Sequence, residues 1–173
     1  MQRFTKTLSI DRKKNVPNKK LRIALAADHG GITLKTHLAA FLKQEGHDVT
    51  DLGTDDSGTS VDYPDFGFKA AACVAEGAVD FGIIICGTGI GISIAANRNP
   101  AIRAALCHDT TTARLAREHN DANILALGER VLGTITAEDI LRVFLATEFE
   151  GGRHARRVEK LSCPPATEKK EEN

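Results

Sequence analysis

From Leu21 onward the chain alternates short apolar runs with longer stretches of helical spacing. Leu21 to Ala26 reads as a strand. Ile32 to Glu45 carries Leu34, Leu38, Phe41 and Leu42 on one side of a helix, and Gly46 stands where that helix would stop. Val49 to Leu52 predicts a second strand. Tyr63 to Glu76 predicts a helix opened by Asp62 and Pro64 and closed by Gly77. Phe81 to Ile85 predicts a third, buried strand, followed by a glycine loop and a helix to about Arg98. Ile102 to Leu106 and Ile124 to Leu127 predict the fourth and fifth strands. Between them Thr110 to Glu118 is a helix with Asp109 as its N-cap. Ala137 to Thr147 is a helix for which Thr136 is the N-cap and Asp139 the acid of a capping box. A basic segment, Gly151 to Lys160, follows. Strict alternation of strand and helix predicts α/β architecture, a parallel sheet covered by helices on both faces. In such sheets ligands bind beyond the C-terminal strand ends. There is no internal repeat.

Composition adds boundaries to this pattern. The 173 residues, 42% hydrophobic, suffice for one domain with a single core. Residues 1–20 hold seven Lys or Arg and one acid, Asp11, and read as a basic extension; an organelle-targeting segment is the alternative. Residues 21–161 carry the alternating pattern, and residues 162–173 form a polar tail. The formal net charge is zero, so no global field points to nucleic acid or a membrane. At 5% aromatic residues, platforms for stacking nucleic-acid bases are poorly supplied. The longest charge-free run, Phe81 to Asn97, contains four glycines and is too short for a comfortable membrane span. The four cysteines, Cys73, Cys86, Cys107 and Cys163, show no C-x-x-C spacing, which points away from a zinc site or disulfide framework and toward a reducing compartment.

The chemistry-bearing positions gather at the ends of these elements. Cys86 closes the third strand and opens Cys86-Gly87-Thr88-Gly89-Ile90-Gly91-Ile92-Ser93. A cysteine ending an apolar strand is, by itself, most often a small buried hydrophobe. Alternating glycines after it change the balance, because they let backbone approach a ligand closely. Backbone N–H groups and a helix N-terminus there would favour a thiolate and hold an oxyanion or phosphate. Asp28-His29-Gly30-Gly31 follows the first strand, either as a sugar- or phosphate-contacting turn or as an ordinary turn capped by Asp28. His119 and Asn120 end the fourth helix, where an imidazole serves as a cap or a ligand contact. Arg153 and Arg157 are four apart and, on a helix, would face one side and grip one phosphate; a solvated basic face is the alternative. Gly87, Gly89 and Gly91 have the wrong spacing for a dinucleotide fingerprint, and no P-loop pattern occurs.

Taken together, Asp28-His29-Gly30-Gly31, Asp62-Tyr63-Pro64, Cys86 to Asn97, His119-Asn120-Asp121-Ala122-Asn123 and Glu150-Gly151-Gly152-Arg153-His154 closely resemble type B ribose-5-phosphate isomerase. That family is grouped with bacterial sugar-phosphate isomerases that include galactose-6-phosphate isomerase. The resemblance runs from about Leu21 to Leu161. It implies a Rossmann-like three-layer α/β/α domain whose five-stranded parallel sheet has the order 2-1-3-5-4. It implies a homodimer, sometimes paired into a tetramer, with active sites shared between subunits, and no metal or organic cofactor; a cytoplasmic location is expected from the cysteine usage. The implied reaction interconverts D-ribose 5-phosphate and D-ribulose 5-phosphate through an enediolate, in the non-oxidative pentose phosphate pathway. By position, Cys86 matches the base that moves the proton between C1 and C2, and His119 the acid/base that opens the furanose ring. Thr88 assists that step or contacts the reacting oxygens. Gly87, Gly89, Ile90 and Gly91 supply N–H groups to the enediolate. Asp28, His29, Tyr63 and Asn120 match sugar-contacting positions. Arg130, Arg153 and Arg157 match cationic positions near the phosphate, some reaching across the dimer interface. Some relatives place a glutamate base near the position of Ile92; here that residue is apolar and Cys86 has no evident substitute. A six-carbon sugar phosphate (allose or galactose 6-phosphate) is the alternative substrate. A non-catalytic sugar-phosphate sensor is the alternative of a different class, though it would not need a thiol and an imidazole together.

Overall fold

The computed structural model describes residues 19–162. Most of the basic extension, nearly all of the polar tail and Cys163 lie outside the described residues. In chain order the elements are β1 (Arg22–Ala27), α1 (Ile32–Gln44), β2 (Asp48–Asp51), α2 (Tyr63–Ala75), β3 (Phe81–Cys86) and α3 (Ile90–Ala96). They continue with β4 (Ala104–Leu106), α4 (Thr110–Asn120), β5 (Ile124–Gly128), α5 (Thr134–Ala146) and α6 (Ala155–Ser162). Short 3₁₀ turns occupy His29–Gly31 and Gly152–His154. The five strands form one sheet in the order β2-β1-β3-β5-β4, and every pair is parallel.

Side chains of the three central strands alternate between two cores, as the period of two requires. Ile23, Leu25, Ile83, Ile85, Leu125 and Leu127 face α1, α4 and α5. Ala26, Ile84, Cys86, Ile124 and Ala126 face α2 and α3, whose inner sides are rich in alanine and glycine. Strands buried on both faces read as unbroken apolar runs, which is why the sequence marks them clearly. The small inner residues let α3 lie close to the sheet. A Cβ added at Gly67 of α2 would fall 3.0 Å from the Ile92 carbonyl oxygen, so the two helices touch through glycine.

Several local expectations shift. Helix α5 begins at Thr134 with Gly133 as its N-cap, so Thr136 lies inside the first turn and forms no capping box. The fourth strand is shorter than predicted, because Ile102 and Arg103 remain outside the ladder. Arg153 sits in the 3₁₀ turn and Arg157 in α6, so one regular α-helix does not carry both. Asp109 does cap α4, its side chain accepting a hydrogen bond from the Thr112 amide at 2.8 Å. Among the described residues no helix is long and apolar enough to cross a membrane.

Candidate active site

Cys86 is 5% exposed and is the last residue of β3. The odd–even alternation that turns Ile85 toward α1 turns the Cys86 thiol toward α3. Gly89 adopts φ +78°, a left-handed conformation suited to glycine, and its amide donates to Cys86 Sγ at 3.1 Å. The neighbouring chain pins this loop from the other side: the Glu129 amide donates to the Cys86 carbonyl and the Arg130 amide to the Gly87 carbonyl, each at 3.0 Å. Thr88 Oγ1 accepts from the Ile90 amide at 3.3 Å. Two of the loop amides expected to serve an oxyanion, those of Gly89 and Ile90, are thus engaged in this structure.

A cleft of about 440 Å³ opens above the thiol at the C-terminal strand ends. It is lined by Asp28, His29, Gly30, Tyr63, Cys86, Gly87, Thr88, Ile90, Gly91 and Arg130. Glycines let its walls approach closely. A Cβ at Gly91 would fall 2.6 Å from the Tyr63 ring, and one at Gly30 would fall 3.3 Å from the Gly87 amide nitrogen. The Arg130 guanidinium lies against Gly87, 3.4 Å from where a side chain there would begin. Asp28 is 6% exposed and accepts from the Gly30 amide at 3.0 Å. Burial pushes its carboxyl above the ordinary value, while that hydrogen bond and the charges of His29 and Arg130 oppose the shift. His29 Nδ1 lies 3.2 Å from the Val61 amide, which can only donate. Nδ1 is therefore the acceptor, and the neutral ring carries its proton on Nε2.

His119, Asn120, Arg153 and Arg157 do not line this cleft. In a parallel sheet a returning helix ends at the N-terminal edge, and α4 delivers His119 and Asn120 just before Ile124. Cys86 pairs with Gly128, the far end of β5, about 13 Å of strand away. At their own edge the His119 and His154 rings stack, centroids 4.3 Å apart and planes within 4°. The Glu150 amide donates to the Glu118 carbonyl, fastening the C-terminal segment to α4. Glu150 Oε2 lies 3.6 Å from His154 Nε2 and 4.0 Å from His119 Nε2. Arg153 Nε donates to His154 Nε2 at 3.3 Å. Burial, then the charges of His119 and Arg153, hold the His154 imidazole below its ordinary value, with Glu150 opposing. The ligand atoms of His119, Glu150 and His154 lie within 4.8 Å of one another, close enough to consider a metal ion. His154 Nε2, however, already accepts from Arg153 Nε, so its lone pair is engaged and a guanidinium stands beside the rings. Asn120 lines a separate cavity of about 340 Å³ beside the edge strand β4.

Two supporting residues escape the sequence pattern. Glu129 Oε2 accepts from the Leu34 amide at 2.8 Å and so caps α1, whose N-cap Gly31 has no side chain to do it. Lys35, 1% exposed, lies among the apolar positions of α1. A lysine one residue after Leu34 and three before Leu38, with Asp51 ending the next strand and Asp55 four residues beyond it, is the only sequence signal that could have marked it.

Comparison with known proteins adds relatives to this geometry. Residues 23–161 match the model of a family described as Ribose/Galactose Isomerase. Among solved structures, ribose-5-phosphate isomerase B of Clostridium thermocellum is similar with a TM-score of 0.80 at 57% identity, covering 82% of this chain and 95% of that one. Escherichia coli ribose-5-phosphate isomerase B is 47% identical over 142 residues, which are 82% of this chain and 95% of the relative. The D-erythrulose-4-phosphate isomerase of Pectobacterium atrosepticum is 45% identical over 141 residues, 82% of this chain and 93% of that relative.

Proposed function

Since the chain belongs to the ribose/galactose isomerase family, we propose that it interconverts D-ribose 5-phosphate and D-ribulose 5-phosphate through an enediolate. The observation that carries this reading is the thiol of Cys86, held by the Gly89 amide on the floor of a cleft shared with Asp28, His29 and Arg130. Aldose–ketose isomerisation needs one base beside an acidified C–H and donors for the oxygen that gains charge. As thiolate, Cys86 takes the proton from C2 of the aldose and returns it to C1. A positioned base contributes roughly 10²–10⁴-fold, and preorganised donors add a comparable factor. Thr88, the remaining loop amides and the Nε2–H of His29 face the sugar oxygens, with Tyr63 closing the side of the cleft.

The ring-opening residue and part of the phosphate site come from a second copy. Tyr63 and Phe68 on α2, with Ile90 and Ile94 on α3, are 42–56% exposed, a concentration of apolar surface that suits an interface. Assembly as a homodimer brings His119, Asn120, Arg153 and Arg157 of one copy to the Cys86 cleft of the other, so each site draws on both ends of the sheet. A reducing cytoplasm suits a catalytic thiol.

The test is turnover of ribose 5-phosphate in the presence of EDTA, with allose 6-phosphate and D-erythrulose 4-phosphate run beside it. Ribose 5-phosphate is expected to be the best substrate. Cys86→Ala is expected to lower kcat by at least about 10³-fold while ribose 5-phosphate still binds. A Cys86→Ala protein with near wild-type turnover would sink the assignment.

A further inference from the structure

Lys35 is the one charged side chain in the apolar stripe of α1, and the reaction chemistry makes no direct use of it. Its Nζ lies 2.7 Å from Asp55 Oδ1 and 3.0 Å from Asp51 Oδ1. The lysine is 1% exposed, whereas the Asp51 and Asp55 side chains are 43% and 92% exposed. Burial by itself would lower the lysine pKa; the bonds to Asp55 and then Asp51 outweigh it, and the ammonium is held above its ordinary value. A buried ammonium is thus reaching outward to hold two surface carboxylates. Asp51 is the last residue of β2, and Asp55 lies in the connection that follows it and ends at Tyr63, so the ammonium ties that connection to the strand end.

That connection is otherwise thinly held. Leu52 and Thr54 amides donate to the Leu25 and Ala27 carbonyls, and Gly53 packs directly over the lysine stem, where a Cβ would fall 2.7 Å from Lys35 Cδ. From Asp55 to Ser60 the chain is exposed. It returns at Val61, whose amide donates to Nδ1 of the cleft-lining His29 and so places the proton of the neutral imidazole on Nε2. Two residues later Tyr63 forms the cleft wall against Gly91.

We infer that Lys35 is a positioning residue for sugar recognition: by clamping Asp51 and Asp55 it fixes the β2–α2 connection, and through Val61 it sets the His29 tautomer and the room beside Tyr63. The inference rests on the sugar-phosphate reading of the cleft. It makes a residue outside the cleft a determinant of substrate length. A loop released from Lys35 loses the register that brings the Val61 amide to His29, and the wall at Tyr63 loosens with it.

Lys35→Met tests this, because a buried ion replaced by an apolar side chain of similar length is often tolerated by the fold. Asp55→Asn, at a nearly fully exposed carboxylate, weakens the same clamp without touching the core. Three readouts are taken on the full chain. The expected result for Lys35→Met is a KM for ribose 5-phosphate raised roughly tenfold with kcat within about threefold, since sugar binding made equally in the ground and transition states is what is lost. Preference for ribose 5-phosphate over allose 6-phosphate falls by a similar factor. In ¹⁵N-histidine-labelled protein the His29 signals change from a fixed Nε2–H tautomer to a mixture. Asp55→Asn moves each readout the same way, by less. A folded Lys35→Met protein with wild-type KM, preference and His29 signals overturns the inference, as does Asp55→Asn if Lys35→Met does not fold and the exposed variant is silent on all three. If the wild type turns over neither sugar, the isomerase reading fails, while the His29 tautomer still decides the clamp.

Discussion

Cys86 and Cys107 both sit at the ends of parallel strands, and their surroundings divide their roles. Cys107 is 1% exposed, and burial, with Asp109 adding and Thr112 opposing, pushes its thiol up to about 11. Cys86 instead meets an amide donor and a cleft. Asp28 shows the cost of such a site. Its carboxyl is raised by burial, so the stability linked to its protonated form is present below the ordinary carboxylate value and is lost as pH rises through the raised one. At neutral pH the ionised group therefore weighs against the fold. Asp28→Asn keeps an oxygen acceptor for the Gly30 amide and removes the charge. It is expected to raise the urea midpoint at pH 7 and flatten its decline above pH 4, while kcat/KM falls. An unchanged midpoint would mean that Asp28 is solvated as an ordinary surface acid. The cysteine, the DHGG turn and the glycines were legible because each is a local signal, a residue type that its own turn requires. Lys35 and Glu129 were not, because their partners lie 16–20 and 95 residues away and only packing brings them together.

At the scale of elements, strands and helices were legible with ends off by up to three residues, since a strand buried on both sides has no polar interruptions. Helix ends were less so. Asp109 and Thr136 look equally like caps in sequence, yet only Asp109 bonds its helix. The start of α5 is set by Gly133 and by the turn that carries Arg130 back to Gly87, a tertiary constraint. Asp109→Ala is accordingly expected to cost about 1 kcal/mol in urea unfolding, and Thr136→Ala to change stability by less than about 0.5 kcal/mol. Equal costs would restore the capping box. The turn from α4 into β5 is set in the same way. Asp121, the one described non-glycine residue at positive φ (+45°), is bridged by Arg103 and Arg117, at 2.9 Å each. Arg117 in turn lies over the Phe81 ring. That bracing fixes the loop directly after His119 and Asn120, where backbone strain is tolerated because two cations over-determine it.

For the molecule as a whole, the separation of the two residue sets has a direct consequence. If one copy supplies Cys86 and its partner supplies His119, inactive Cys86→Ala and His119→Ala proteins complement each other. Each mixed dimer then holds one site with neither substitution and one with both. Refolding the two together is expected to restore about a quarter of wild-type turnover, since half of the dimers are mixed and half of their sites intact. No recovery, with mixed dimers confirmed by mass, would place both residues in one chain's site. The sequence by itself determined the alternation of strand and helix, the parallel sheet and the thiol-bearing turn, because these follow from side-chain period and from backbone conformations that only certain residues adopt. Only the tertiary structure decided which of the chemical residues meet. A helix returning from one strand to the next reverses the chain, so residues that look alike in sequence, each at the end of an element, are delivered to opposite edges of the same sheet.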